Sequence, residues 1–273
     1  MANSQNTVVR QTITRLVCVY LYYFTQIDCL MNIALIGYGK MGKTIEQVIA
    51  EEYAGSCQIV LRVDSQNCHT LDIPTLQKAD VAIEFTTPTA AAHNLLLCME
   101  AGVPVVCGTT GWLNRFDEIR QMCLHKGGAL VYASNFSVGV NLFFELNRLL
   151  AQLMRPYPQY HPQIEETHHV QKKDAPSGTA VTLAEAVVSE SLKLQKWVTH
   201  SNIEPDELPV ISHRIEDVKG THIVRYQSAI DTIEISHTAH SRRGFAQGAV
   251  MAATWVVGKK GIFTMRDVLQ MGV

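Results

Sequence analysis

The sequence predicts an α/β protein, a Rossmann-type doubly wound parallel sheet joined to a smaller mixed α+β domain. Three observations carry that expectation. A short apolar run at 32–36 leads directly into Gly37-Tyr38-Gly39-Lys40-Met41-Gly42 and then into apolar residues at helical spacing over 43–54, the strand, glycine turn and helix of a dinucleotide site. Further apolar runs at 58–63, 81–85, 103–107 and 129–133 follow, with helical patterns or loops between them, the alternation of a parallel sheet. Beyond about residue 141 the texture changes, and eight of the eleven histidines fall between His161 and His240.

The first strand is apolar throughout because a parallel sheet buries both of its faces. In the turn that follows, Gly37 permits the sharp strand-to-helix reversal, Gly39 lets backbone N–H groups approach a pyrophosphate, and Gly42 lets the helix pack closely on the strand. Asp64 closes the second strand, where an acidic side chain accepts hydrogen bonds from ribose hydroxyls. Lys40 is the one cation in the glycine loop and Ser65-Gln66-Asn67 bring none, so NADH is favoured and NADPH stays open. The loops Phe85-Thr86-Thr87-Pro88 and Gly108-Thr109-Thr110-Gly111 end later strands, where ligands of open α/β sheets bind, although such sequences also make plain turns. After them come a helix over 141–154, a proline-broken stretch at 156–162, antiparallel strands at 221–226 and 232–237, and helices at 248–258 and 265–271 that return to the first lobe. The expected division is an extension over 1–30, a dinucleotide-binding domain over 31–137, a second domain over 138–241, and a return to the first over 242–273.

The densest polar stretch is Glu165-Glu166-Thr167-His168-His169-Val170-Gln171-Lys172-Lys173-Asp174-Ala175-Pro176-Ser177-Gly178-Thr179. Its last residues open a helix expected over 180–192, and a helix N-terminus offers unpaired N–H donors and partial positive charge to a carboxylate. Ser177, Gly178 and Thr179 stand there, Lys172 adds a full charge, and a histidine serves as general acid near neutral pH. Read singly, these residues are an N-cap and a solvated imidazole pair; read together beside a dinucleotide fold, they describe a site for an anionic substrate. No HExxH or paired Cys/His spacing supports a metal, His237 with His240 included. Arg242-Arg243 suits either an anion or a solvated face.

Composition narrows the class. With 273 residues, 47% apolar and 18% charged, the chain is long enough for two lobes and too apolar for dominant disorder. A formal charge of -2 offers no overall basic excess for nucleic acid. The seven cysteines are odd in number and lack a C-x-x-C pair, which reads as free thiols in a reducing compartment. The apolar run at 16–24 is far shorter than the ~20 residues of a membrane span, and no small-x-small cleavage pattern follows it. The extension over 1–30 is best explained by a true start at Met31, with a signal peptide as the alternative, and residence is expected to be cytoplasmic.

With these residues in place, the chain from Met31 to about Met271 resembles the 4-hydroxy-tetrahydrodipicolinate reductase (dihydrodipicolinate reductase) family of the diaminopimelate route to lysine. Glu166-x-His168-His169 with Lys172 and Asp174-Ala-Pro-Ser-Gly-Thr179 is the most specific part, supported by Gly108-Thr-Thr-Gly111, Asn135-Phe-Ser-Val-Gly-Val-Asn141 and Met265-Arg-Asp-Val-Leu269. The resemblance implies a Rossmann domain completed by the C-terminal segment, a hinged domain for substrate, catalysis and oligomerisation, and a homotetramer that reduces a cyclic imine dicarboxylate with NADH or NADPH. It implies His168 as proton donor and Lys172 as second acid and carboxylate partner. It implies His169, Ser177, Gly178 and Thr179 at the substrate carboxylates. Cofactor contacts implied in the same way are Gly37, Tyr38, Gly39, Lys40, Met41, Gly42, Asp64, Gly108, Thr109, Thr110, Ala133, Ser134, Asn135 and Phe136. Two departures stand out: Val170 where many members carry Arg, and a glycine loop one residue shorter than in some. Two other readings share the cofactor lobe, a dinucleotide sensor without turnover and a dehydrogenase for another small acid. The sensor would have no use for His168 with Lys172, and the other dehydrogenase would not need the string from Asp174 to Thr179.

Overall fold

A computed structural model describes residues 30–271, so the reading of the extension lies outside the described residues except for Leu30. In chain order the first half runs β1 (Met31–Ile36), α1 (Lys40–Glu52), β2 (Cys57–Val63), α2 (Ile73–Leu76), β3 (Val81–Glu84), α3 (Pro88–Ala101), β4 (Val105–Cys107), α4 (Phe116–Lys126) and β5 (Ala129–Tyr132). The second half runs α5 (Val138–Met154), β6 (His161–His168), α6 (Gly178–Glu190), β7 (Lys196–Val198), β8 (Glu207–Arg214), β9 (Thr221–Gln227) and β10 (Thr232–Thr238), and the chain ends in α7 (Arg243–Val256), β11 (Gly261–Phe263) and α8 (Met265–Val268).

Six strands form one parallel sheet in the order β11-β5-β4-β3-β1-β2. Both faces are covered, which is why β3 and β4 are buried at every position. On one face Ile33 and Leu35 pack with Ile45 and Val48 of α1, Ala249 and Val250 of α7 and Met265 of α8. On the other, Ala34 and Ile36 pack with Leu76, with Leu95 and Met99 of α3, and with Ile119 of α4. The second sheet is mixed, in the order β10-β9-β6-β8-β7, and packs through Ile164, Leu208, Val210 and Val224 against Phe143 of α5 and Leu183 of α6.

The expected fold class is the observed one, and the differences lie in particular elements. β6, β7 and β8 went unread: at 161–168 the positions that face the helices are Ile164, Glu166 and His168, so charge stands where the alternation needs apolar residues. β11 is three residues long, too short to carry a pattern. α5 starts three residues earlier than expected, because the Ser137 hydroxyl accepts from the Val140 N–H at 3.4 Å and caps it. α7 begins at Arg243, whose guanidinium bonds Glu51 and Glu52 of α1, with Gln247 adding a bond to Glu52 at 2.9 Å. Arg243 is thus a tie between helices. Cys57, Cys68, Cys98, Cys107 and Cys123 are free thiols, and no described helix is long and apolar enough to cross a membrane.

Gly248 of α7 sets how closely the returning segment approaches the first lobe: a Cβ there would lie 1.7 Å from the Phe136 carbonyl oxygen. Backbone cannot yield as a side chain does, so Gly248→Ala is expected to cost at least about 2 kcal/mol and lower Tm by several degrees in thermal melts followed by circular dichroism. Gly55→Ala, with nothing within 4 Å, is expected to stay within about 0.5 kcal/mol of the parent.

Candidate active site

The carboxyl ends of β1, β3, β4 and β5 gather the glycine turn and three loops. In the turn, the Gly37 and Tyr38 N–H groups both donate to the Val63 carbonyl, at 2.8 and 2.7 Å. Gly37 has φ +98°, and a Cβ on it would meet the Phe85 carbonyl oxygen at 2.0 Å, so both conformation and space demand glycine. A Cβ on Gly42 would lie 2.7 Å from the Gly37 oxygen, whereas nothing stands within 4 Å of one on Gly39. Gly39 caps α1 without a side-chain bond, which leaves the first N–H groups of the helix, at Lys40, Met41 and Gly42, for an anion. The Tyr38 hydroxyl donates to Glu46, which also pairs with Arg62 at 2.5 Å.

Asp64 follows β2 and is fixed by its own loop: Oδ1 accepts from the N–H groups of Gln66 at 2.8 Å and Asn67 at 3.3 Å. Its Oδ2 makes no hydrogen bond among the described residues. The next two loops lock together. The Thr86 N–H donates to Thr109 Oγ1 at 2.7 Å, the Trp112 indole donates to the Thr109 carbonyl at 2.8 Å, and a Cβ on Gly108 would collide with the Phe85 ring. Thr110 is exposed beside them. After β5, the Ala133 N–H donates to the Cys107 carbonyl at 3.2 Å, Ser134 follows, Asn135 Oδ1 accepts from the Ser137 N–H at 2.9 Å, and the buried Phe136 ring stands 5.9 Å from Phe85. Beneath these loops lies Glu84, fully buried. It accepts from Thr86, from Asn94 at 3.4 Å and from the Cys107 thiol at 3.1 Å, and the sequence reading did not single it out.

The second constellation is built on β6. Glu166 and His168 project from one face of the strand, and Glu166 stands opposite His222 of β9 in the antiparallel register. The Glu166 carboxylate is buried and accepts from the Ser177 N–H at 3.1 Å to both oxygens, from Ser212 Oγ at 2.8 Å and from Arg214 at 3.1 Å. His168 Nδ1 and His222 Nε2 lie 3.4 and 3.6 Å from Glu166 Oε2. Burial alone would raise the Glu166 pKa, but the hydrogen bonds from His222, Ser177 and Ser212 outweigh it and hold the carboxyl well below its usual range. The structure therefore ties the helix that begins at Gly178 to the histidine at the end of β6 through one carboxylate.

His168 is buried between Glu166, the His222 ring at 5.0 Å, and the backbone of Gly220, where a Cβ would sit 3.0 Å from Nε2. Burial pushes its pKa down to about 4; Glu166 opposes that shift, and His222, Lys172 and Arg214 reinforce it. The imidazole is accordingly held toward its neutral form even with the Glu166 carboxylate beside it. Ser177 caps α6 by accepting from the Ala180 N–H at 3.2 Å, and its Oγ lies 3.1 Å from His222 Nε2. Gly178 is exposed and Thr179 half-buried in the first turn, leaving N–H donors at that end. Lys172 pairs with Asp174 at 2.9 Å, and half-buried His169 carries a buried Nδ1 without a partner. The structure brings His168 and Ser177 together around Glu166. Lys172 reaches the group as charge, while the glycine turn and Asp64 belong to the other sheet. His237 stands in register with His222, and its Nε2 lies 3.1 Å from where a Cβ of Gly139 in α5 would be.

Glu166, Ser212, Arg214, Gly220 and His222 received no role from sequence reasoning. Spacing of two between Glu166 and His168 was the available signal, once 161–168 is read as a strand. The loss of hydrogen bonds in Glu166→Gln, with Arg214 left uncompensated, is expected to cost about 3–5 kcal/mol at pH 7 in urea denaturation. Because the folded-state pKa is depressed, that stabilisation is present above the ordinary value of 4.5 and fades as pH falls below it, so the difference from the parent should shrink under acid conditions.

Comparison with known proteins agrees with this layout. Residues 31–136 match the family model for the N-terminus of dihydrodipicolinate reductase, and residues 139–269 match the model for its C-terminus. The 4-hydroxy-tetrahydrodipicolinate reductase of Christiangramia forsetii is 48% identical over 239 residues, covering 88% of this chain and 98% of the relative. That of Methanoregula boonei is 35% identical over 243 residues, covering 85% and 94%. The dipicolinate-bound dihydrodipicolinate reductase from Paenisporosarcina sp. TG-14 shares the fold, with a TM-score of 0.69 at 21% identity over 86% of this chain and 98% of that one. With both halves of the chain matched and a relative at 48% identity almost fully covered, the protein belongs to the dihydrodipicolinate reductase family.

Proposed function

We propose that the chain reduces 4-hydroxy-tetrahydrodipicolinate to tetrahydrodipicolinate with NADH or NADPH, within the diaminopimelate route to lysine in the cytoplasm, and that it acts as a homotetramer. The observation that carries this reading is the Glu166 carboxylate holding His168 beside the capped N-terminus of α6. A dianionic substrate needs N–H donors and a fixed cation. The first turn of α6, with Ser177, Gly178 and Thr179, offers the former, and Lys172, released from Asp174, the latter; His169 stands by the same loop. Loss of the 4-hydroxyl as water would leave a conjugated imine, and a bound NADH or NADPH would supply the hydride that reduces it.

The reduced ring then needs a proton. His168 delivers it, and Lys172 is the second acid. In the empty site the imidazole is neutral, with its pKa pushed down to about 4. Two substrate carboxylates beside it favour the imidazolium, so the group acquires its proton when there is something to donate it to. Gly37 to Gly42 and Asp64 support the adenosine and pyrophosphate half of the cofactor, and Gly108 to Thr110 with Ala133 to Phe136 support the nicotinamide half. NADH is favoured, because Asp64 presents Oδ2 to the ribose end, where a 2′-phosphate would seek cations.

The test is nicotinamide absorbance decay with substrate generated in the cuvette by the preceding synthase, run with each cofactor. Turnover that depends on the synthase supports the proposal, and tight NADH binding without turnover overturns it. His168→Gln is expected to lower kcat about 10²- to 10⁴-fold with little change in KM. In the parent, the pH at which the acid form of His168 is lost should be higher in the kcat profile, which reads the complex, than in kcat/KM, which reads the free enzyme. Asp64→Ser should reduce kcat/KM with NADH about 10- to 100-fold, the worth of a charge-assisted hydrogen bond, and leave the NADPH value nearly unchanged.

A further inference from the structure

We infer that Glu166, His168 and His222 form a three-ligand site for a borderline divalent cation, Zn²⁺ first, and that the cation inhibits by occupying the proton donor. One donor atom from each of these residues lies within 4.8 Å of the others, and all three residues are buried. They project from two paired strands, Glu166 and His168 at alternate positions of β6 and His222 directly across on β9, so their spacing is set by a hydrogen-bonded ladder. His168 Nδ1 and His222 Nε2 approach the same oxygen, Glu166 Oε2, at 3.4 and 3.6 Å. A tetrahedral zinc with bonds of about 2.0–2.1 Å has ligand edges only slightly shorter than this. His168 Nδ1 is buried and has no hydrogen-bond partner, so a metal bond there displaces nothing.

The surroundings fit the same reading. Glu166 Oε1 keeps its bonds to Ser212 and Arg214, the kind of outer support that orients a ligating carboxylate. Two imidazoles and one carboxylate select zinc and its neighbours over magnesium or calcium. Three protein ligands leave the fourth position to water, and Arg214 and Lys172 nearby make the site weaker than a closed four-ligand one. A cation on Nδ1 takes the lone pair through which His168 becomes imidazolium, so the acid is lost even though Nε2 remains in place. Binding rests on the placement of the three side chains and requires His222 Nε2 to give up its 3.1 Å contact with Ser177 Oγ, whereas inhibition rests on the reductase reading.

The experiment uses the full-length chain, stripped with a chelator and without substrate. Zn²⁺ is titrated against a chromophoric indicator, and Co²⁺ is followed by its visible absorption. The expected result is one equivalent of Zn²⁺, weakened by more than about tenfold in His222→Gln and retained in His200→Gln, with melting curves confirming that the variants fold. The Co²⁺ spectrum, which needs no variant, should show an intense tetrahedral band without thiolate charge transfer. No binding by the parent, unchanged binding in His222→Gln, or a thiolate band overturns the site. Zn²⁺ that binds there while synthase-dependent turnover continues undiminished overturns the inhibition alone, and turnover without any Zn²⁺ binding leaves the reductase reading standing while this one falls.

Discussion

The second lobe depends on one buried carboxylate. Glu166 lies buried in a sheet that packs through Ile164, Leu208, Val210 and Val224, and a lone charge in such a place would take up a proton. It stays ionised because Ser177, Ser212 and Arg214 deliver hydrogen bonds from two separate segments. Each of those segments is thereby located relative to β6: the start of α6 through Ser177, and the end of β8 through Ser212 and Arg214. Arg214 extends the reach by also donating to the Asp174 carbonyl at 2.6 Å, which pins the loop that carries Lys172. His168, placed beside such a hub, inherits its rigidity.

The first lobe solves a different problem, the close stacking of loops above a parallel sheet. Phe85 is the common surface. Its carbonyl fills the space a side chain on Gly37 would need, its ring fills that of Gly108, and its ring also meets Phe136. Glu84 directly precedes it and binds Thr86, Asn94 and Cys107 from below. Both lobes therefore use a buried glutamate as an organiser, one reaching neutral donors only and the other also reaching a guanidinium.

How much of this was legible in the sequence follows from how each feature is encoded. The parallel sheet was legible because burial on both faces writes itself as uninterrupted apolar runs, and the glycine turn because sterics permit few substitutes at Gly37 and Gly42. The stretch from His168 to Thr179 stood out because helix-opening residues, imidazoles and ammonium groups rarely crowd together without a ligand to share. Its neighbours were hidden. His222, Ser212 and Gly220 join the site only through the pairing of β6 with β8 and β9, a long-range register that local periodicity does not record. β6 itself was obscured by Glu166 and His168, which stand at its buried positions. Arg243 shows the converse, a residue that the sequence leaves open between an anion and a solvated face and that pairs with Glu51 and Glu52.

The pairing of β11 with β5 has a bearing on how the chain comes to be made. β5 ends at Tyr132 and its outer neighbour begins at Gly261, so during synthesis the edge of the first sheet stays open while the whole second lobe emerges. The segment that closes it, together with α7 against Phe136, follows the second lobe in chain order. The nucleotide-binding lobe is thus discontinuous in time as well as in sequence, and its closure needs the intervening lobe to bring the two ends back together.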